Sequence, residues 1–463
     1  MTDQSTVGRR TPRDTSAVGL NPVKRDAIGT AMRVLTKITG SELAEKYNLR
    51  SVIDKTVYGG TKTGFRAIGA AGRTFEKVAG DGKPERLGDA SPAARDYFDL
   101  TPDDDQRLIL ETVREFAAEV VRPAAADADT AAAPPADLLA RAAELGITLI
   151  NVPENLDGAA AGRSAVTNAL VYEALSHGDL GLALPIIAPS GVAIALTNWG
   201  TDEQQKTYLP SYAGENVPAS SVVVAEPRAL FDPFALQTTA TRAPGGYVLN
   251  GVKSLVPVAG SSELFIVAAE FDGRPSLFIV ESSASGLSVE NDPSMGLRGA
   301  ALGRIHLDGV SVPASALLGS DDPTVRAQEY AEAIRLARIG WAALAVGTGQ
   351  AVLDYVIPYV NERQAFGEPI SNRQAVAFMV ADIATELEGL RLVTWRGAAR
   401  ADQGASFARE SALARKLATD KGMRIGLDGV QLLGGHGFVK EHPVERWYRN
   451  LRAVGVAEGV VLV

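Results

Sequence analysis

The spacing of apolar residues divides the chain into a helical part, a strand-rich part and a second helical part. In both helical parts apolar residues recur at steps of three and four, which places them on one face of a helix. The clearest stripe of the first part is Ile109, Val113, Phe116 and Val120. The clearest stripe of the second part is Val380, Ile383, Leu387 and Leu390. These patterns predict helices with one buried face.

Between the helical parts, from about Pro218, short runs rich in β-branched residues alternate with turn signals. The runs predicted as strands are 220–225, 247–249, 264–268, 277–280 and 305–307. The turn signals between them are Gly245-Gly246, Asn250-Gly251 and Asp272-Gly273. This stretch therefore predicts a small all-β domain.

The order of elements predicts an α+β multidomain protein. The expected parts are a basic helical extension (1–90), an all-α domain (91–217), a β-barrel-like middle domain (218–322) and an α-helical C-terminal domain (323–463). Helices, then strands, then helices do not form the βαβ alternation of a dinucleotide-binding Rossmann domain.

The amino-acid composition excludes several classes of catalytic and metal-binding site. The chain has no cysteine, which excludes disulfides, thiolate catalysis and cysteine-ligated metal centres. Four histidines and no HExxH pair make a histidine-rich metal site improbable, so no metal is predicted. We expect no apolar run long enough to span a membrane and find no signal-peptide pattern, which favours a cytoplasmic protein.

The charge is asymmetric, because residues 1–90 are net positive while the remainder is net negative. A basic head can bind nucleic acid. Here the basic residues are dispersed singly and no aromatic–basic platform accompanies them, so a solvated helical face is favoured and no nucleic-acid partner is expected.

Several short motifs stand in order along residues 100–463. They are Ala225-Glu226-Pro227, Asn250-Gly251-x-Lys253, Gly296-x-Arg298, Arg363-x-x-Phe366-Gly367-x-Pro369-Ile370 followed by Gln374, Gly434-Gly435-x-Gly437, and Ala457-Glu458-Gly459. Each motif alone is weak, but together and in this spacing they resemble the acyl-CoA dehydrogenase family.

The resemblance implies an all-α C-terminal four-helix bundle and an FAD-dependent enzyme of fatty-acid metabolism that introduces an α,β double bond into an acyl-CoA thioester. It implies Glu458 as the base for the α-proton and flavin N5 as the hydride acceptor. The residues implied at FAD are Ala225, Arg363, Phe366, Gln374, Gly434 and Gly435. In the family the elements around the last five reach the FAD of a neighbouring subunit. A homodimer or homotetramer and an electron-transfer flavoprotein partner are therefore expected.

Departures from the family pattern gather where the flavin ring is expected. Arg228–Asp232 replaces a glycine-rich loop, and Leu255 replaces a tryptophan. Pro257 replaces a threonine and can supply neither a hydroxyl nor a backbone N–H. These changes leave a second interpretation open: a non-catalytic or degenerate subunit that pairs with an active homologue or acts as a scaffold. Residues 1–90 are hypothesised to pack over Glu458. Arg338 is interpreted as a domain-packing charge.

Overall fold

The computed structural model describes residues 102–160, 162–214 and 216–463. The predictions made for residues 1–90, including their packing over Glu458, lie outside these ranges. The described residues form a helical part, a β-sheet part and a second helical part, in the order that the apolar spacing predicts.

Seven α-helices lie in the first part of the described residues. They are α1 (Asp104–Phe116), α2 (Arg122–Ala131), α3 (Leu138–Ala143), α4 (Ala165–Gly178), α5 (Leu180–Trp199), α6 (Asp202–Tyr208) and α7 (Pro210–Ala213). Helix α1 begins with a reciprocal cap, because the Asp103 carboxylate accepts from the Gln106 N–H and the Gln106 side chain accepts from the Asp103 N–H. Val113 and Phe116 of the predicted stripe are buried.

Helix α5 corrects one expectation from the sequence. An 18-residue window of this 20-residue helix has a mean hydropathy of 1.9, so an apolar run of membrane-spanning length does exist. However, 94% of that apolar window is buried inside the protein. Helix α5 is a core helix, and its hydrophobicity reflects protein packed around nearly its whole circumference.

The middle part is a β-sheet. Its strands are β1 (Ser220–Val223), β2 (Thr239–Ala243), β3 (Gly246–Val256), β4 (Leu264–Phe271), β5 (Arg274–Glu281), β6 (Leu287–Asn291), β7 (Gly303–Pro313) and β8 (Leu317–Leu318). The strand order is β6-β7-β3-β2-β4-β5-β8, and β1 pairs with β4 in parallel.

The turn predicted at Asn250-Gly251 is wrong. Both residues lie inside β3, where its pairing with β7 shifts register between Leu249 and Gly251. Gly251 has φ +150°, and a Cβ there would lie 2.6 Å from Thr238 Oγ1. Gly251 therefore allows a β-bulge and a close contact with Thr238, and it does not form a reverse turn.

Three long helices, one helix of ten residues and a short two-stranded ribbon form the last part. They are α8 (Pro323–Glu362), β9 (Gln364–Ala365), β10 (Glu368–Pro369), α9 (Gln374–Asp402), α10 (Ala408–Leu432) and α11 (Val444–Ala453). Helix α8 begins at Pro323, and the Asp322 carboxylate accepts from the Thr324 and Val325 N–H groups. It packs against α4, α9 and α10. The four helices are the C-terminal bundle that the family resemblance implies.

Candidate active site

Glu458 lies on the stretch that follows α11, and its side chain is only 6% exposed. Both carboxylate oxygens accept from Arg338 of α8: Nε lies 3.2 Å from Oε1 and 3.3 Å from Oε2, and Nη2 lies 2.9 Å from Oε1. Arg415 of α10 adds a second guanidinium, with Nη2 3.4 Å from Oε1. Arg338, interpreted from the sequence as a domain-packing charge, is thus the main partner of the predicted base.

The backbone beside Glu458 runs along the first strand of the sheet. Gly459 forms a bridge with Val223, and the Val460 N–H donates to the Val222 carbonyl at 2.8 Å. Gly459 has φ +76°, and a Cβ there would lie 2.6 Å from Val224 Cγ2. A glycine is required here by both the left-handed backbone and the close contact.

Residues 459–463, named here the buried segment, continue into the helical core. Each of the five is buried. The Trp341 Nε1–H donates to the Gly459 carbonyl at 2.9 Å, and the Tyr172 hydroxyl donates to the Leu462 carbonyl at 2.6 Å. The segment therefore joins α4, α8 and β1 directly beside Glu458.

Ala225 is buried where β1 ends, and its carbonyl accepts from the Ser254 N–H at 3.0 Å. The neighbouring Glu226 pairs with Lys253, with Oε1 and Nζ 3.1 Å apart and both side chains buried. Burial lowers the pKa of Lys253 to about 8, although Glu226 opposes the shift. Burial acts to raise the pKa of Glu226, but Lys253 and two backbone N–H groups outweigh it and hold that pKa below its ordinary value.

The loop that replaces the family's glycine-rich turn folds towards α8. Tyr330 of α8 donates its hydroxyl to the Pro233 carbonyl at 2.6 Å. Burial raises the pKa of Tyr330, and the nearby negative charge of Glu458 raises it further. Tyr330 thus lies close to the candidate base, which the sequence reasoning missed. By contrast, Leu230 at the tip of the loop is fully exposed.

A separate cavity of about 740 Å³ collects most of the residues that the resemblance implies at FAD. Arg363, Phe366, Gly434 and Gly435 all line it. Gln374 is the first residue of α9 and is not among the lining residues, and neither Ala225 nor Glu458 is among them. The predicted cofactor residues of one chain therefore fall into two groups.

The character of this cavity suits an anionic, partly aromatic ligand. Arg363 and Arg373 both line it, and the Arg373 guanidinium lies 5.6 Å from the Phe366 ring centroid. Phe366 is 93% exposed. A Cβ at Gly434 or Gly435 would meet no atom within 4 Å in the described chain. Gly434 has φ +57°, which itself favours glycine, whereas at Gly435 close approach by something outside the described residues would account for the missing side chain.

Three profiles of one family match the chain in order. They are the acyl-CoA dehydrogenase N-terminal domain at residues 103–216, the middle domain at 221–310 and the C-terminal domain at 330–461. The chain belongs to the acyl-CoA dehydrogenase family. It is therefore an oxidoreductase of a flavoprotein family whose cofactor is FAD.

Individual relatives agree with this assignment. A probable acyl-CoA dehydrogenase of Bacillus subtilis is 33% identical over 371 residues, which cover 78% of this chain and 96% of the relative. The butyryl-CoA dehydrogenase structure from Megasphaera elsdenii has a TM-score of 0.70 at 27% identity and covers 78% of this chain and 95% of that one. A chain in a structure described as an electron transferring flavoprotein of Acidaminococcus fermentans has a TM-score of 0.71 at 29% identity, with coverage of 78% and 95%.

The residues present fit the nucleotide half of FAD better than the ring half. The cavity at Arg363 offers guanidinium groups for phosphates and the Phe366 face for stacking. On the ring side, Leu255 and Pro257 offer no side-chain donor, and the Leu255 N–H already donates to Asp292 Oδ2 at 3.1 Å. Within the described residues no group of three or more His, Cys, Asp or Glu side chains is placed to hold a metal ion.

Proposed function

We propose that this chain removes the α-proton of an acyl-CoA thioester through Glu458 while a β-hydrogen leaves as hydride. When bound, FAD supplies the hydride acceptor at flavin N5. The observation that carries the proposal is the buried Glu458 carboxylate at the meeting point of β1, α8 and α10. Burial alone does not distinguish Glu458 from Glu226 and Glu410, but only Glu458 also stands directly before a glycine in the motif register that the family resemblance gives to the base.

The surroundings of Glu458 support a base that meets an uncharged, apolar substrate. The adjacent Gly459 has no side chain to hinder the approach of a thioester. The helices on either side, α5 and α8, bury almost entirely apolar side chains. Removal of a weakly acidic α-proton needs a base held within hydrogen-bonding reach in a water-poor site, and these features supply such a site.

The decisive comparison is between Glu458→Gln and Glu410→Gln. Glu410 is also a buried glutamate, and it is paired with Arg396 at 3.3 Å and with Arg400 at 3.7 Å, away from the proposed chemistry. Glu458→Gln should lower acyl-CoA-dependent bleaching of flavin absorbance by roughly 10²–10⁴-fold, the range for loss of a general base. Glu410→Gln should retain turnover.

Stopped-flow absorbance with short, medium and long acyl-CoAs measures both variants at matched flavin content. Equal losses in the two variants would mean that a disturbed fold, and not a missing base, explains the result. Full activity of Glu458→Gln would refute the assignment of the base. Equilibrium binding of acyl-CoA separates loss of binding from loss of chemistry.

A second candidate function rests on the separation of the two groups of cofactor residues. The Arg363 cavity is open, whereas the space beside Glu458 is filled by the buried segment. A chain of this kind could lend its nucleotide cavity to the FAD of a homologous partner without holding a flavin ring. A colourless protein that becomes yellow only when co-expressed with a homologue would favour this function, and a yellow protein expressed alone would favour the enzyme.

We further propose a homodimer or homotetramer in the cytoplasm, with an electron-transfer flavoprotein as the electron acceptor. The similarity to a chain in a structure described as an electron transferring flavoprotein supports that partner. The open space around Gly434 and Gly435, where an added Cβ would meet no atom of the described residues within 4 Å, supports a neighbouring subunit at this cavity. Sedimentation analysis of the FAD-loaded protein tests the assembly.

A further inference from the structure

We propose that the buried segment is an internal occupant of the acyl-binding slot, so that an acyl-CoA must displace residues 460–463 before it can reach Glu458. The inference rests on the proposed function and adds a gating step to it. Its basis is the position of the segment: directly after the candidate base, between two apolar helices, and held by contacts that can open without breaking either helix.

Backbone contacts show that the segment lies between α5 and α8. A Cβ on Gly191 of α5 would lie 2.2 Å from the Val460 carbonyl oxygen. A Cβ on Gly340 of α8 would lie 2.2 Å from the Val461 carbonyl oxygen. Each helix therefore has a glycine where the segment passes. Glycine inside a helix is less stabilising than alanine, so both helices give up some stability at these positions to admit the backbone of the segment.

The chemistry of the segment matches an acyl group. Its side chains after Gly459 are Val460, Val461, Leu462 and Val463, all apolar and all buried. An apolar acyl chain entering the same slot would replace those methyl groups by similar ones, so the hydrophobic burial lost by the segment is largely recovered by the ligand. A polar ligand would recover none of it. The occupant that can displace the segment is thus a hydrophobic acyl chain.

Within the part of the chain that the structure describes, few polar contacts to other elements hold the segment in place. They are the hydrogen bonds from Val460 to Val222, from Trp341 to the Gly459 carbonyl and from Tyr172 to the Leu462 carbonyl. Each such bond contributes modestly, because water replaces it when the segment leaves. Val460 also has a left-handed backbone, with φ +64°. For a β-branched residue this conformation is strained, and departure of the segment releases the strain.

Displacement of the segment also changes the contacts of the Glu458 carboxylate. Arg415 contacts Glu458 and donates to the carbonyls of Val454 and Gly455, so one guanidinium holds both the carboxylate and the loop before it. With both oxygens of Glu458 accepting from Arg338, the carboxylate is fully engaged while the segment is seated. Movement of the attached backbone lets the carboxylate turn away from the arginines and towards a substrate.

Absence of cysteine from the natural sequence makes the test direct. Leu462→Cys introduces a unique thiol on the segment, and Val267→Cys introduces a control thiol in the middle of β4, where the side chain is fully buried. The rate of reaction with a small maleimide reports opening of each site in the FAD-loaded full chain. Acyl-CoA should raise the maleimide labelling rate of Leu462→Cys by about tenfold or more. It should leave the labelling rate of Val267→Cys unchanged.

Tyr172→Phe provides a second variant that keeps the shape of the site. Loss of its hydrogen bond to the Leu462 carbonyl should raise the labelling rate of Leu462→Cys by about three- to tenfold without ligand. The matched control is Tyr212→Phe, which removes a buried tyrosine hydroxyl that donates to Ser220 Oγ at 3.0 Å and so, unlike Tyr172, does not bond a residue of the segment. That control should leave labelling at position 462 unchanged.

The possible results distinguish failure of the gating inference from failure of the proposed function. Acyl-CoA that binds by calorimetry without changing the labelling rate overturns the gating inference and leaves the proposed function intact. Binding that is tighter to a chain lacking residues 460–463 than to the full chain supports the inference. No binding of any acyl-CoA to either chain overturns the proposed function, and the inference with it.

Discussion

Substitution of Gly340 tests the contact between α8 and the buried segment directly. Gly340→Ala adds one methyl group in the middle of α8, and that methyl would lie 2.2 Å from the Val461 carbonyl oxygen and 3.3 Å from Val461 Cγ2. Ordinary contacts to a Cβ begin near 3.4 Å. The buried segment must therefore move by roughly 1 Å, or α8 must move away from it, in a core that is packed to crystal-like density.

Two opposing contributions set the change in the free energy of unfolding of Gly340→Ala. Alanine gains about 0.5–1 kcal/mol over glycine inside a helix. Overpacking of a well-packed core costs about 1–3 kcal/mol. Gly422→Ala on α10 is the matched control, because its added methyl would meet Leu451 at 3.6 Å and Ala345 at 3.8 Å, which are ordinary contacts. The helix term is common to both variants, so their difference of about 1–3 kcal/mol isolates the clash.

Equilibrium urea unfolding, at equal FAD content because bound ligand shifts apparent stability, measures the free energy of unfolding of each variant. We expect Gly422→Ala to be slightly more stable than the parent and Gly340→Ala to be less stable than Gly422→Ala. In the Leu462→Cys background, Gly340→Ala should also raise the labelling rate. Equal stability of the two alanine variants, with unchanged labelling, would refute the seating of the segment against α8.

Two further predictions concern the cofactor cavity and the buried pair beneath Ala225. Arg363→Ala should lower the flavin-to-protein absorbance ratio of the purified protein, because a phosphate of FAD loses a charge-assisted contact. The control Arg242→Ala, on the β-sheet, should leave that ratio unchanged. An unchanged ratio in Arg363→Ala would remove Arg363 from the FAD site. Glu226→Gln should cost about 3–5 kcal/mol near neutral pH, because it leaves Lys253 buried without its counter-charge. Since the pKa of Glu226 is lowered in the fold, its contribution is complete above the ordinary carboxylate pKa and is lost as pH falls through the lowered one. The stability gap between parent and Glu226→Gln should therefore close in acid, and a gap that persists there would contradict the paired state.

Local signals were sufficient for much of the fold. Helical periodicity predicts helices from about Pro323, and α8 begins there because the capping carboxylate of Asp322 and a proline at the first helical position act within a few residues. Strands β4 and β5 meet in a hairpin at Asp272-Gly273, as predicted. Strands β2 and β6 were not predicted, since β2 is short and largely polar and β6 is mostly exposed, so neither carries a strong apolar alternation.

The candidate site was only half predictable. Motif register singles out Glu458, but its partners Arg338 and Arg415 lie 120 and 43 residues away along the chain. No local pattern links residues at such separations, and only the folded bundle brings them together. One signal was available and unused: Gly340 interrupts a long apolar helix, and a glycine in a helix interior usually has a packing reason.

The ion pairs around Glu458 are difficult to explain as stabilising contacts alone. Burial lowers the pKa of Arg415 even though Glu458 opposes the shift, so desolvation of that guanidinium exceeds what its partner returns. Buried ion pairs are often no better for stability than apolar side chains of similar volume. A core that needed only stability could hold leucine or methionine at all three positions. Retention of a carboxylate between two guanidinium groups, beside the bridge between Gly459 and Val223 of β1, is instead explained by the proposed role of Glu458: the arginines hold the carboxylate in position while the slot is closed, and displacement of the segment by an acyl chain frees it to face the substrate.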